Sequence, residues 1–327
     1  MRWLVLTDDH PPTTGGVATW TARVVDGLRS RGCEVTVYAR LREGLPPDVH
    51  GVRVPAFGRR GHLGMGWQAR DALRQTPPER ILCTTWSVVP PGLSGAHVVL
   101  HGSDLTRPTH APGRRRRVLG RSRVWAVSHW LRRRARQQLG VEATVLPAPV
   151  DIADEPAPPG ERWLWMGRAV AGKGGERFLH WLDAAGASGD VLGSGPRLQA
   201  WAAAAQARGI DARFHGWRTG SDLLQRIRAG RLLALCPSPA SEDHGAEGLG
   251  LVGLEALGQG VPVVGVPVGG VPEAVGPGLV VPEPDRPADV AMRIASWWTP
   301  ERGREGWAWV RGHHGTHRTV TALLGGP

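Results

Sequence analysis

The sequence predicts an α/β protein of two comparable halves, each a parallel sheet wrapped by helices, facing each other across a cleft. Three observations predict it. The 327 residues suffice for two domains of ordinary size, each with its own core. Short apolar runs alternate with amphipathic segments, the pattern of strand–helix–strand units. The alternation breaks at the Pro-rich polar segment 154–161, DEPAPPGE, and then restarts. The expected organisation is therefore a first domain at 1–153, a linker at 154–161, a second domain at 162–300, and a C-terminal helical segment at 301–327 that can pack back on the first domain. Ligands of such proteins bind most often in the crevice.

In the first half, the apolar run Trp3 to Leu6 reads as a strand, and Gly15-Gly16 leads into an amphipathic helix from Val17 to Arg31. Glu34 to Tyr38, Ile81 to Cys83, His97 to Leu100 and Arg123 to Val127 continue the strands, and a helix follows from His129 to Leu139. Arg114 to Arg117, beside Pro112-Gly113, is expected in a loop, whereas Arg132 to Arg134 with Arg136 lies on a helix. The second half offers strands at Trp163 to Met166, Gly189 to Leu192, Ala212 to His215, Leu232 to Cys236, Val261 to Val266 and Leu279 to Val281.

A formal charge of +11 implies an anionic partner: nucleic acid, a membrane surface or a phosphorylated small molecule. The composition tempers this. The chain holds no Asn and a single lysine, so much of its arginine stands where lysine would. No aromatic residues interleave the basic runs, which argues against nucleic acid. The arginine runs leave peripheral contact with a membrane, or a lipid-linked acceptor, as a candidate partnership. Cys33, Cys83 and Cys236 lie far apart without metal-ligand spacing and read as buried thiols. The start, MRWLVLTDDH, is too short an apolar segment for a signal-peptide core, and no apolar run reaches the length of a membrane span. The expectation is a cytoplasmic protein, with the inner membrane face as its alternative address. The fifteen Trp read as core aromatics replacing Phe and Tyr, with Trp20, just after the glycine loop, as the one placed to meet a sugar.

Two stretches carry chemistry. Gly167 to Gly175, GRAVAGKGG, begins like a phosphate-binding P-loop, but Gly174 stands where that loop needs a hydroxyl for magnesium. Anion binding survives this departure and the triphosphatase reading does not. The only lysine, Lys173, sits in this turn. Further on, Ser241 to Glu273 places Glu247 and Glu255 either side of a glycine-rich turn, with an apolar helix beginning near Gly250. Free N–H groups at a helix start favour an anion, and the flanking carboxylates can accept hydrogen bonds from hydroxyls. Together they suit a phosphorylated, hydroxyl-rich ligand such as a nucleotide sugar. Taken singly, each glutamate is as well explained as a helix cap or a solvated helix residue.

These residues resemble the group-one glycosyl transferases, family four of the GT-B glycosyltransferases, over nearly the whole chain. Gly15-Gly16 with its helix, and Arg31-Gly32-Cys33-Glu34-Val35-Thr36-Val37, are similar to the family's glycine loop and second strand, with Cys33 where histidine is usual. His101-Gly102-Ser103-Asp104 resembles its cleft histidine segment. Val127-Ser128 and Leu146 to Asp151 resemble the pieces that close the first domain, with Ala148-Pro149 replacing Asn-Gly in a chain that has no Asn. Met166-Gly167-Arg168 through Gly172-Lys173-Gly174 resembles the family's arginine and lysine pair, and the motif from Glu247 to Glu273 carries most of the specificity.

The resemblance implies a GT-B fold, two Rossmann-like domains facing across a cleft, with the nucleotide-sugar donor on the second domain and the acceptor on the first. It implies that Arg168 and Lys173 bind the donor diphosphate, that Glu255 holds the ribose diol, and that Glu247 with the backbone of Gly248, Leu249 and Gly250 contacts the transferred sugar. Trp217 and Arg218 would lie near the base, Gly15 and Gly16 at the donor, and His101 at the donor sugar. The implied reaction is retaining, metal-independent transfer of hexosyltransferase type, needing no cofactor. The acceptor, whether small molecule, glycan or lipid-linked, stays open. A GT-B nucleotide-sugar epimerase would share the donor residues and differ in needing no acceptor. A nicotinamide-dependent oxidoreductase has only Gly193-Ser194-Gly195-Pro196 in its favour, without a third glycine.

Overall fold

A computed structural model of the chain describes residues 1–53, 74, 77–106, 111–239, 246–282 and 286–325. It divides into two compact units, Met1–Pro149 with Thr316–Pro327, and Val150–Gly315.

The first unit contains β1 (Arg2–Thr7), α1 (Gly16–Ser30), β2 (Glu34–Arg40), β3 (Val49–Val52), β4 (Arg80–Cys83), β5 (His97–Leu100), α2 (Ser103–Thr106), α3 (Pro112–Leu119), β6 (Arg123–Ala126), α4 (His129–Leu139) and β7 (Thr144–Val145). Its seven-stranded parallel sheet runs β3-β2-β1-β4-β5-β6-β7. Val5 pairs with Val37 on one side and Leu82 on the other, so β1 is an inner strand and its side chains from Trp3 to Thr7 are buried on both faces. The strand order reverses between β1 and β4, which leaves a switch point at their carboxyl ends. Helix α1 buries Ala18, Trp20, Thr21, Val24, Val25 and Leu28, one face of a 3.6-residue period. The Ser128 hydroxyl accepts the Leu131 N–H at 3.1 Å and starts α4.

Arg114 to Arg117 correct the sequence reading, because they lie on helix α3 and not in a loop. Pro112 occupies the first turn, where its missing N–H is no loss and its fixed φ favours the helix. Two of the four arginines are spent internally. Arg114 donates to the carbonyls of Ser87 and Val89 at 3.3 and 3.2 Å, and Arg115 to that of Asp104 at 2.8 Å. Strands β3 and β7 were not expected; both are short edge strands without an apolar run to announce them.

The second unit contains β8 (Arg162–Met166), α5 (Gly175–Ala185), β9 (Gly189–Leu192), α6 (Leu198–Ala207), β10 (Ala212–Gly216), α7 (Gly220–Arg228), β11 (Gly230–Leu235), α8 (Leu251–Gly258), β12 (Val263–Gly265), α9 (Val271–Val275), β13 (Leu279–Val280), α10 (Pro287–Trp297) and α11 (Glu301–His313). Its six-stranded parallel sheet runs β10-β9-β8-β11-β12-β13, the same winding as the first, with the reversal between β8 and β11. The core is aromatic: Trp163, Trp165, Phe178, Trp181 and Trp201 cluster with Leu182, Val191 and Val264. Gly303 and Gly306 on α11 face Gly260 and Leu257 at the end of α8, where an added Cβ would meet them at 2.1 and 2.5 Å.

The last helix, α12 (Thr316–Leu323), belongs to the first unit. It lies on α1 at Gly27, where a Cβ would meet the methyls of Thr316 and Val320 at 2.6 and 2.8 Å. The Thr319 hydroxyl donates to the Pro147 carbonyl at 2.8 Å, and Arg80 donates to that of Leu323 at 2.7 Å.

Candidate active site

The switch point of the second unit lies where β8 and β11 end side by side, and the loop Gly167–Gly174 leaves β8 there. Its backbone is pinned on three sides. Ala169 donates to the Ser194 carbonyl at 2.8 Å, Ser238 donates to that of Gly172 at 2.9 Å, and the Trp165 indole donates to that of Lys173 at 3.1 Å. Gly174 has φ 81° and caps α5; a Cβ there would meet the Cys236 carbonyl oxygen at 1.9 Å. Left-handed backbone and lack of space both require glycine. The hydroxyl that a P-loop carries at this position has no room.

Lys173 and Glu247 meet directly. The ammonium lies 2.5 Å from Oε2 of the carboxylate, with the two side chains 34% and 18% exposed. Glu247 also accepts the backbone N–H groups of Leu249 and Gly250, at the start of α8. Burial alone raises the Glu247 carboxyl, but the Lys173 charge and these hydrogen bonds outweigh it and hold the group below the usual carboxylate range. The glycines that follow explain the motif's composition. Gly270 donates to the Glu247 carbonyl at 2.9 Å, and Cβ atoms on Gly269 and Gly270 would meet the carbonyls of Glu247 and Gly248 at 2.1 and 2.2 Å. Two backbones touch there, and side chains would part them. Residues 241–245 of the same motif lie outside the described residues.

Arg168 is exposed on the same loop, and its guanidinium has no hydrogen bond or ion pair among the described residues. Gly248, Leu249 and Gly250 are buried, and Glu255 is half-buried on α8. Trp217 is 37% exposed after β10, and Arg218 beside it donates to the His215 carbonyl at 2.8 Å and approaches Asp222 at 3.4 Å. The structure thus joins Lys173 to Glu247 and to the α8 amides, while Trp217 and Arg218 stand at the edge strand β10.

Sequence reading missed the support of that edge. His215 is held between Asp190 Oδ1 at 3.0 Å from Nε2 and Arg226 at 2.8 Å from Nδ1. Arg162 pairs with Asp190 and Asp211 at 3.0 and 2.9 Å. Pairing of β9 with β10 brings these groups together, and no local spacing signals it.

In the first unit, Gly15 has φ 144° and forms the N-cap of α1, which Gly16 begins. His101 follows β5, and its backbone N–H donates to the Asp104 carboxylate at 2.8 Å. Its ring packs edge-to-face on Trp20, with centroids 5.0 Å apart and planes at 79°. Nε2 is buried and has no hydrogen-bond partner among the described residues. Burial pushes the imidazole down to about 3, so it is neutral at pH 7, and pushes Asp104 up to about 6. Asp104 was visible only as the end of the HGSD segment. Among the described residues no group of three His, Cys, Asp or Glu is placed to hold a metal ion, and no helix is long and apolar enough to cross a membrane.

Two parallel sheets of the same doubly wound order, one carrying a lysine–carboxylate pair at its switch point, make a protein of two Rossmann-like domains of the GT-B class. Known proteins agree. Residues 14–154 match the family described as Glycosyltransferase Family 4, and residues 162–299 match that described as Glycosyl transferases group 1. The chain belongs to this glycosyltransferase family and is a glycosyltransferase. Among solved structures it is similar to AviGT4, a glycosyltransferase involved in avilamycin A biosynthesis, at 21% identity and TM-score 0.71, covering 99% of this chain and 96% of that one. It is also similar to sucrose-phosphate synthase from Thermosynechococcus elongatus, at 15% identity and TM-score 0.79, covering 99% and 98%. Anabaena HepE in complex with UDP and glucose is similar at 17% identity and TM-score 0.74, covering 99% and 98%. No curated protein matches the chain.

Proposed function

We propose that the protein is a retaining, metal-independent glycosyltransferase of hexosyltransferase type, moving a sugar from a nucleoside-diphosphate sugar to a hydroxyl-bearing acceptor. The observation that carries this reading is the Lys173–Glu247 pair at the start of α8, on the loop that leaves β8 at the switch point. A fixed cation and helix-start amides suit a pyrophosphate, and a carboxylate beside them suits sugar hydroxyls. HepE structures with UDP and with UDP-glucose support a nucleotide sugar as the donor.

Breaking the bond between sugar and diphosphate builds negative charge on the leaving oxygens and positive charge on the sugar carbon. Lys173 and exposed Arg168 are assigned to the leaving group, where preorganised positive groups are most effective in transition states. They do by charge what a metal ion does elsewhere, so transfer proceeds in chelator. Attack from the face of departure, with the diphosphate taking the acceptor proton, retains configuration without a base from the protein. Glu255 is assigned to the ribose, Trp217 and Arg218 to the base, and Gly15, Gly16 and His101 to the donor.

A thermal-shift screen against UDP, GDP, ADP and TDP and their sugars, in chelator, tests the donor site. At least one nucleoside diphosphate raises the melting temperature, since a ligand of the folded state alone stabilises it. Indifference to all of them sinks the reading.

A further inference from the structure

The positive charge of the chain is not spread along it. Of its 40 basic residues, eleven are arginines between Leu105 and Val141, a stretch without a single Asp or Glu. The 29 basic residues elsewhere equal the 29 acidic ones, so the whole net charge of +11 belongs to this segment. A compositional preference for arginine over lysine does not explain it, because such a preference acts on every part of the chain, and elsewhere acids balance it. Of the eleven, Arg107 lies outside the described residues.

The fold of the first unit gathers this charge on one surface. Strand β6 runs parallel to β5 and β7 and lies between them, so right-handed crossovers lay α3 and α4 on the same face of the sheet. Each helix turns an apolar side inward, at Leu119 on α3 and at Leu131 and Ala135 on α4. The outward sides follow the helical period. Arg116 and Arg117 are exposed on α3, and His129, Arg132, Arg133 and Arg136 are exposed on α4 at i, i+3, i+4 and i+7. Arg136 pairs with Glu142 at 3.2 Å, whereas Arg116, Arg117, Arg132 and Arg133 have no acidic partner among the described residues. Neither helix exposes a large apolar side chain. Without counter-charges these four arginines repel one another, and the packing of α3 and α4 does not require them.

We propose that the outward face of α3 and α4 docks on an anionic lipid bilayer. A bilayer offers its acidic headgroups in a plane, and two helices laid on one face of a sheet offer their arginines in another. Nucleic acid fits less well. Reading bases takes an aromatic stacking surface or an element that enters a groove, and the described residues of this face supply neither; Trp130 is half-buried, with the Arg134 guanidinium 5.2 Å from its ring. Since no large apolar side chain is exposed there, the contact is electrostatic, without insertion into the hydrocarbon, and salt reverses it. The face shares no residue with the assigned donor site.

Cosedimentation tests this, with vesicles of equal parts phosphatidylglycerol and phosphatidylcholine against vesicles of phosphatidylcholine alone, at physiological salt. The protein pellets with the first and stays in solution with the second. Arg116→Gln, Arg117→Gln, Arg132→Gln and Arg133→Gln together weaken binding at least about a hundredfold, since each arginine near an anionic surface strengthens it about fivefold. A control removes the same charge elsewhere, at exposed Arg42→Gln, Arg213→Gln, Arg304→Gln and Arg318→Gln. It keeps its binding within about threefold, because charges beyond a Debye length from the bilayer are screened. Equal losses in the two variants overturn the proposal, since net charge and not this face would then be responsible. Wild type alone decides the matter if a variant does not fold. Indifference to the anionic vesicles overturns the proposal, and so does binding that survives about 1 M salt, where electrostatic reach is only about 3 Å. A fluorescent DNA duplex and an RNA strand are titrated in parallel. Tighter binding to either than to the vesicles, lost with the same four arginines, assigns the face to nucleic acid and overturns the proposal as well.

Discussion

The ammonium of Lys173 and the carboxylate of Glu247, 74 residues apart in the chain, lie 2.5 Å from each other beneath the first amides of α8. Glu247 therefore occupies, as an internal anion, the cationic position that the proposed function gives to a diphosphate. Donor binding has to share Lys173 with Glu247 or take it away.

Glu247→Gln is accordingly expected to strengthen binding of the free nucleoside diphosphate, about threefold or more, while abolishing most transfer. Titration calorimetry with UDP measures the first effect. Weaker UDP binding in the variant would show that Glu247 organises the diphosphate site and does not compete for it.

Lys173→Met removes the partner that holds Glu247 below its usual carboxylate range. The group gives up its proton more readily folded than unfolded, so its contribution is full above its ordinary value of 4.5 and is lost as pH falls through the folded value. In the variant, burial without the lysine favours the protonated form, and this stabilisation, present above pH 4.5, disappears. Urea unfolding at pH 7 and pH 3.5 checks it: the variant loses about 1 kcal/mol at pH 7, discounted for solvent screening of a lysine about one-third exposed, and less at pH 3.5. Equal losses at both pH values contradict the assignment.

Gly174→Ser restores the residue a P-loop would have. It puts a Cβ 1.9 Å from the Cys236 carbonyl oxygen on left-handed backbone, and is expected to cost roughly 2–4 kcal/mol in chemical unfolding. A variant as stable as wild type would mean that the loop after β11 yields easily.

His101 is neutral across the physiological range. Its folded value, about 3, lies below its ordinary 6.5, so its contribution to stability is intact above pH 6.5 and declines as pH falls below that. Asp104, pushed up to about 6, acts in the opposite sense and regains stability as pH falls from 6 towards 3.8. In NMR, the His101 ring carbon resonances stay constant between pH 8 and 5. A titration step near 6.5 would place the ring in water.

Much of the fold was legible because hydrophobic periodicity is local. The runs at Leu4 to Leu6, His97 to Leu100 and Trp163 to Met166 are buried strands in the structure, and Gly250 does precede a helix. Edge strands β3 and β7 were illegible because pairing to a neighbour, not an apolar run, makes them strands. Helix α3 was missed because Pro112-Gly113 reads as a breaker, although proline at a first turn is a helix starter.

For the site, sequence by itself determined which residue types were available: a single lysine in a glycine turn, two glutamates around a glycine-rich helix start, and a histidine closing a strand. Only the tertiary structure decided which of them meet. Parallel strand order sets β8 beside β11, and that adjacency, absent from any local window, pins the Lys173 loop against Cys236 and Ser238. The same holds for Trp20 and His101, whose contact depends on how α1 packs over the sheet. Spacing along a chain encodes the faces of helices and strands; contacts between distant segments are set by the burial that all of them achieve together.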